Sequence, residues 1–275
     1  MAQHHSPARL ALLVSLAIGL LLSLGGCRPA AGGSVTVAGS TSVQPFAELL
    51  SEEYAHKLPL ERINVQGGGS SAGIEAVNSG AAQIGMSSRE LKGDEKKLVR
   101  IEIATDAIAV IVHPRNGIRD LTVEQVRGIF EGKTKRWSEL GGPDQPIVVV
   151  TREEGSGTRG AFQDMVMAKA EIDPGSLVQD SNGAVRQLVG GDPNAIGYVS
   201  LGLVDQSVKA VALDNVQPTA ARVADGTYRL ARPFLFVLRE MPTDGAVKHY
   251  IDYTLSPEGQ ALLAGEGLLP PAGRK

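Results

Sequence analysis

Four stretches of this sequence combine glycine with small hydroxyl side chains: AGSTSVQP (38–45), GGGSSAG (67–73), GMSSREL (85–91) and TREEGSGTRG (151–160). The last packs two arginines, a serine, two threonines and three glycines into ten positions directly after the apolar run PIVVV. A turn needs one glycine; this density of donors suits a ligand with many acceptor oxygens. Backbone N–H groups at a helix start are unpaired and sit at the positive end of the helix dipole, a ready anion site. Glycine lets that backbone approach closely, and hydroxyls add donors without charge. Each hydrogen bond to a charged partner contributes about 1.5–3 kcal/mol net, so five or six can in principle exceed the ~8 kcal/mol of micromolar binding. Any one of these loops reads as an ordinary turn. Their recurrence at successive strand ends turns the reading toward a shared ligand. Arg152 supplies the one full positive charge that the sequence places in such a cage, whereas Arg159, one turn into the following helix, reads as solvated.

The elements that must carry these loops alternate. SVTVA, ERINVQ and AQIGM read as strands, and between them PFAELLSEEYAHKL and SAGIEAVNSG have helical periodicity. DAIAVIVHP is a longer apolar strand that ends in proline. Beyond it, Thr122 and Gln125 form a capping-box pattern that opens a helix. PIVVVT, the helix GTRGAFQDMVMAKA, the helix NGAVRQLV and the strand AIGYVS follow. A polar stretch, ALDNVQPTAARVADGTY, leads to the strand RPFLFVL and two final helices, the last opened by Ser256-Pro257. This is an α/β pattern with a largely parallel sheet in each part. Ligands of open α/β sheets bind at the carboxyl ends of the strands, where all four loops fall. We expect two lobes, residues 34–113 with 233–275 and residues 114–232, joined by two hinge crossings near 113 and 232. The cleft between them is the expected ligand site. A single doubly wound domain with a long insertion fits the same pattern.

Composition narrows the function classes. Of 275 residues, 43% are apolar and 21% charged, as in an ordinary globular chain. With 27 basic and 30 acidic residues the net charge is −3, which is no footprint for nucleic acid. Local dipoles and one guanidinium still outweigh that modest charge, because salt screens it beyond ~8–10 Å. The first 26 residues read as an export signal: MAQHHSPAR, then the apolar core LALLVSLAIGLLLSL, short of the ~20 residues a spanning helix needs. The core ends at Leu24-Gly25-Gly26-Cys27, which resembles a bacterial lipobox with the chain's single cysteine as the lipidated residue. Residues 27–33 then form a tether. Loss of 1–26 removes Arg9 and no acid, leaving 26 basic against 30 acidic residues, or −4. With its only cysteine lipidated, the exported chain must be stable through its core, without disulfides.

Taken together, AGSTSVQP, GGGSSAGIEAV, QIGMSSREL, IFEGKTKRW, REEGSGTR, NAIGYVSLG and YIDYTLSPEGQALL resemble the PstS-type phosphate-binding lipoproteins of ABC phosphate importers, in the same order from about 34 to 270. The resemblance implies a two-lobed periplasmic-binding-protein fold of type II. It also implies inorganic phosphate held between the lobes, membrane permease subunits as partners, and no cofactor, metal or catalysis. We expect a monomer held at the extracytoplasmic membrane face through Cys27. Carried over residue by residue, the phosphate ligands are Thr41, Ser42, Ser70, Ser88, Arg152, Ser156, Gly157 and Thr158. Some members carry an aspartate after the third strand that accepts the proton of hydrogen phosphate; here the matching position is Ser88. Asp106, at the start of the strand DAIAVIV, is the candidate substitute acceptor, though a strand-start aspartate satisfied by backbone reads equally well. Sulfate, arsenate or molybdate remain alternative ligands, and an anion-sensing lipoprotein without transport remains an alternative role.

Enzyme readings fare worse. Gly67-Gly68-Gly69-Ser70-Ser71-Ala72 meets a loosened dinucleotide fingerprint, but on the second strand of its unit, with only Glu90 as a ribose partner. Gly128 to Thr134 is one residue short of a P-loop and follows a helix instead of a strand. The exported chain keeps His56, His113 and His249, widely separated and without metal-ligand spacing.

Overall fold

The computed structural model describes residues 33–271; the leader, Cys27 and the tether up to residue 32 lie outside the described residues. The chain opens with β1 (Ser34–Gly39), α1 (Gln44–Lys57), β2 (Arg62–Gly67), α2 (Ser70–Ser79) and β3 (Ile84–Ser87). A long strand, β4 (Val99–Val112), leads to β5 (Asp120–Leu121), α3 (Val123–Phe130) and β6 (Val148–Arg152). Then come α4 (Gly157–Phe162), continued by one π-helical stretch over Gln163–Met167, β7 (Leu177–Gln179), α5 (Asn182–Gly191) and β8 (Ala195–Ser200). The order closes with β9 (Lys209–Ala210), β10 (Ala212–Leu213), α6 (Ala220–Ala224), β11 (Ala231–Leu238), α7 (Gly245–Leu255) and α8 (Pro257–Gly265).

Local sequence accounts for the helix starts. Thr122 Oγ1 accepts from Gln125 N at 3.1 Å while the Gln125 side chain accepts from Thr122 N at 2.8 Å, the expected reciprocal cap. Ser256 Oγ accepts from Gly259 N, and Pro257 begins α8 where its missing N–H costs nothing. The stretch 212–228, read as merely polar, contains β10 and α6. Its scattered apolar residues Leu213, Val223 and Tyr228 are buried, and their spacing is too irregular for a periodic signal.

The main sheet runs β2-β1-β3-β11-β4-β8-β6-β7. Within each half the pairing is parallel, β1 with β2 and β3, and β6 with β7 and β8. The two strands that join the halves are antiparallel to their neighbours: β11 to β3 and β4, and β4 to β8. One core forms around Val37, Phe46, Leu50, Met86, Phe234 and Phe236. The other gathers Val110, Ile129, Phe130, Trp137, Phe162 and Tyr198. Strand β4 changes partner between Ala107, which pairs with Ala231, and Ile108, which pairs with Ser200. The change of neighbours thus falls inside the strand. An apolar run buried on both sides of that point carries no mark of the change.

Helix α2 lies against β1 at glycine contact. A Cβ on Gly73 would overlap the Ala38 carbonyl oxygen and come within 2.6 Å of Gly39 Cα, both of them backbone. We expect Gly73→Ala to destabilise the fold by about 1–3 kcal/mol, the usual cost of overpacking, seen as a Tm several degrees lower in calorimetry. An unchanged Tm would show that α2 can shift without loss.

Candidate functional site

The four hydroxyl-glycine loops meet. They lie at the carboxyl ends of β1, β2, β3 and β6, and parallel pairing brings the first three ends side by side. From the second half, α4 starts against them. A Cβ on Gly157 would overlap Ser70 Oγ and lie 2.6 Å from Ser88 Oγ, so only glycine permits this approach. Across the same junction Ser71 N donates to Gly155 O at 3.1 Å.

Ser42, Ser70, Ser88, Arg152, Ser156 and Thr158 are all buried, each at most 2% exposed, although every one is polar. Burial on this scale requires partners, and for Ser42, Ser70, Ser88 and Thr158 these include one another. Ser42 Oγ and Thr158 Oγ1 are 2.7 Å apart, linking the two halves directly. Ser88 N donates to Ser70 Oγ at 3.1 Å, and Ser40 Oγ donates to Ser88 Oγ at 2.8 Å. Arg152 crosses to Thr41, with Nη2 3.1 Å from Thr41 Oγ1. The same guanidinium is gripped by Glu153 through two bonds of 2.9 and 3.0 Å, and by the Gln179 and Asp180 carbonyls. Its remaining nitrogen, Nη1, is buried with no hydrogen-bond partner among the described residues. Such a donor is costly to leave unmatched, and in this position it serves an anion well.

Ser156 has a different place from the other candidates. Its side chain caps α4 by accepting from Arg159 N at 3.2 Å. Arg159 is half-buried, not solvated: Nη1 donates to the Arg152 carbonyl at 2.8 Å and Nε has no partner among the described residues. It folds back because the end of β6 leaves that carbonyl free. Tyr198 supports the same strand end, stacked on Phe162 at 4.0 Å between centroids and hydrogen-bonded to Thr151 at 2.7 Å. Burial pushes the Tyr198 hydroxyl up to about 12, so it stays a neutral partner.

Three residues that the sequence did not single out complete the cluster. Ser40 lies beside Ser88 as described above. Asn182, at the start of α5, donates from Nδ2 to Ser42 Oγ at 2.9 Å and to Thr41 Oγ1 at 3.2 Å. Arg232, on β11, is a second buried guanidinium, so Arg152 is not the cluster's one positive charge. Arg232 Nη2 reaches Ser42 Oγ at 3.2 Å and Nη1 reaches the Ser88 carbonyl at 3.3 Å.

Asp106 holds Arg232 from behind. The two are cross-strand partners of β4 and β11 at the crossing point, and both Nε and Nη2 lie 3.0 Å from Asp106 Oδ2. Asp106 Oδ1 makes no hydrogen bond of normal geometry among the described residues. Burial pushes the Asp106 carboxyl up, and the nearby Arg232 charge and the Ser200 hydroxyl pull against it. Arg232 is drawn down by the same burial and held up by Asp106. The carboxylate is thus committed to Arg232 through one oxygen, with the guanidinium interposed toward Ser42 and Ser88.

The remaining motifs fall elsewhere. Gly128 lies within α3, and the turn that closes this helix takes Lys133 N and Thr134 N onto the Gly128 carbonyl, so the near P-loop is a helix terminus. His249 pairs with Glu61 at 2.9 Å on the surface, far in sequence from His56 and His113. Among the described residues no group of three or more His, Cys, Asp or Glu could hold a metal ion. No described helix is long and apolar enough to cross a membrane.

A family model described as a PBP superfamily domain matches residues 28–258. The chain is 36% identical over 252 residues to the phosphate-binding protein PstS of Bacillus subtilis, covering 89% of this chain and 83% of that protein. It also matches a solved structure of a putative phosphate ABC transporter substrate-binding protein with bound phosphate from Clostridium perfringens. There the TM-score is 0.84 and the identity 46%, over 86% of this chain and 99% of the other. An ABC-type phosphate transport receptor from Vibrio cholerae matches with a TM-score of 0.72 and 37% identity, over 86% of this chain and 100% of the other.

The Arg232–Asp106 pair yields a test of the cluster's electrostatics. Removing one partner leaves a buried charge uncompensated, so Asp106→Asn is expected to cost about 3–5 kcal/mol of stability in anion-free denaturant titrations. Combining Asp106→Asn with Arg232→Met should recover much of that loss. Failure of the double variant to recover would show that the pair holds the fold through packing, not charge.

Proposed function

The chain belongs to the PBP superfamily and, within it, to the PstS-type phosphate-binding proteins, and from that premise we propose that it captures inorganic phosphate outside the cytoplasm and delivers it to the permease of an ABC importer. One observation carries the reading at the level of chemistry: buried hydroxyls from four loops converge with Arg152 Nη1, which has no partner among the described residues. A tetrahedral oxyanion offers acceptors in all directions, and this cluster offers donors from all directions.

In this reading Thr41, Ser42, Ser70, Ser88, Arg152, Gly157 and Thr158 surround the anion, with Ser156 shaping the turn that presents the last two. Residues before the crossing at 107–108, with those after 231, form one lobe, and the intervening residues form the other. Asp106 acts through Arg232, fixing the second guanidinium beneath Ser42 and Ser88. In this role the protein binds the anion and gives it up unchanged, and release follows opening of the cleft. We further propose that Cys27 carries the lipid that holds a monomeric receptor at the membrane, within reach of the permease subunits.

Isothermal titration of the fragment from residue 34 with phosphate, then with sulfate, arsenate and molybdate, tests the reading. Saturable phosphate binding with one site per chain supports it; preference for another of these anions would reassign the ligand, and no binding of any would remove it. Arg152→Ala should weaken phosphate binding by tens of fold or more, because it removes a charge-assisted donor set and leaves Glu153 unpaired. An unchanged titration curve would take Arg152 out of the site.

A further inference from the structure

The directions of the hydrogen bonds in this cluster are not free. Arg152, Arg232 and the Asn182 amide nitrogen can only donate. Which end of Asn182 is the nitrogen is decided by Ser200, whose backbone N–H donates to Asn182 Oδ1 at 3.2 Å. A flipped amide would set two donors against each other there. Both Nδ2 protons are then accounted for, one on Thr41 Oγ1 and one on Ser42 Oγ.

A hydroxyl oxygen has two acceptor positions and one proton. At Thr41 the acceptors are filled by Asn182 and Arg152, at 3.2 and 3.1 Å. The Thr41 proton must therefore point away from both. At Ser42 the acceptors are filled by Asn182 and Arg232, at 2.9 and 3.2 Å. The short Ser42–Thr158 contact of 2.7 Å, in which either oxygen could donate by geometry alone, is thereby resolved: Ser42 donates and Thr158 accepts. The Thr158 proton is in turn released for another acceptor. Ser70 and Ser88 differ. Each, like Thr158, accepts one hydrogen bond of normal length, here from Ser88 N and from Ser40 Oγ respectively, and retains an open acceptor position, unlike Thr41 and Ser42. Their own contact is long, at 3.5 Å.

We infer that Asn182 is the residue that orders the protons of this site, turning the Thr41 hydroxyl into an obligatory donor toward the anion, freeing the Thr158 proton for it, and leaving acceptor capacity at Thr158, Ser70 and Ser88 but none at Thr41 or Ser42. The inference rests on the oxyanion reading above and adds what that reading lacks, a direction for the Thr41 and Ser42 protons. Asn182 is a positioning residue: it acts through the hydroxyls of Thr41, Ser42 and Thr158. The ordering gives the site two unlike ends. Fully ionised oxygens face Thr41 and Arg152, which can only donate, and a protonated oxygen of hydrogen phosphate faces Ser70 and Ser88, where an uncharged hydroxyl accepts its hydrogen bond. A neutral acceptor does not repel a fully ionised oxygen as a carboxylate does, so the site tolerates sulfate better than one with an aspartate at position 88.

Asn182→Asp is the decisive substitution. An ionised carboxylate accepts where the amide donated, so the Thr41 proton turns toward it and away from the ligand, and the Ser42 proton turns toward it and away from Thr158, which can then donate to Ser42 instead of the anion. Phosphate binding measured by calorimetry should fall roughly a hundredfold or more in neutral buffer. As pH is lowered and the new carboxyl takes a proton, it regains a donor, so the gap from the parent protein should narrow. A residue with only a packing role would give a gap that does not change with pH. Asn182→Ala removes the donors without adding charge and leaves the hydroxyls free to rotate; it should bind more weakly than the parent by about tenfold with a pH-independent gap. Tm values for both variants identify any that fail to fold, in which case Thr41→Val, which deletes one aimed proton and keeps the volume, replaces them and should weaken phosphate and sulfate alike. A parent-like curve for Asn182→Asp, or a constant gap across pH, overturns the inference. Failure of the parent protein to bind phosphate or sulfate at any pH overturns the oxyanion reading itself, whatever the variants do.

Discussion

A buried guanidinium, held by a carboxylate on the neighbouring strand, underlies everything else in this site. Arg232 and Asp106 face each other where β11 and β4 pass between the two cores. Desolvating a charge pair is expensive, and the geometry offsets the cost only by satisfying the group on several sides. Asp106 takes Nε and Nη2, the Ser88 carbonyl takes Nη1, and the Ser42 hydroxyl takes Nη2. The pair thus ties the crossing strands to two of the four hydroxyl-glycine loops. The loops are irregular backbone, and this link, together with the β1–β3 ladder, gives them fixed positions.

Around that floor the cluster keeps its charges nearly balanced. Arg152 is countered by Glu153 and Arg232 by Asp106, so two guanidinium groups stand inside a chain of net charge −3 without creating a strong positive field. An anion entering such a site meets donors, not bulk charge. Donor geometry distinguishes ligands by the number and direction of their acceptors, which suits a receptor that must ignore abundant chloride and carboxylates. Neutral hydroxyls with fixed proton directions sharpen this further, because a misdirected proton leaves a buried group unmatched.

Much of this was legible in the chain. The four loops were marked by glycine and hydroxyl residues recurring at strand ends, the resemblance to PstS-type proteins pointed within them to Thr41, Ser42, Ser70, Ser88, Arg152 and Thr158, and the helices were marked by their caps and periodicity. Arg232 was missed although a signal existed. It opens the otherwise apolar strand RPFLFVL, and Asp106 is a lone acid near the start of the apolar run DAIAVIV; two such charges in buried strands require each other. Asn182 offered no comparable signal. In Ser181-Asn182-Gly183 the serine caps α5 through Ala184 N, and the asparagine reads as one more polar residue at a helix start. Its meaning depends on Thr41 and Ser42, which lie about 140 positions away in sequence. The change of partner within β4 was equally silent, since both sheets bury the strand and demand the same apolar residues.

The strand that passes unbroken from one core into the other has a mechanical meaning. Nothing there resembles a slack linker, so parting the halves must bend a paired ladder instead of swinging on a loose joint. Such a bend is centred on the Asp106–Arg232 rung, and water that reaches the parted halves also hydrates this rung. Admission of solute and wetting of the ion pair are then one event, and the stiffness of the molecule toward opening carries an electrostatic part that dissolved salt can tune.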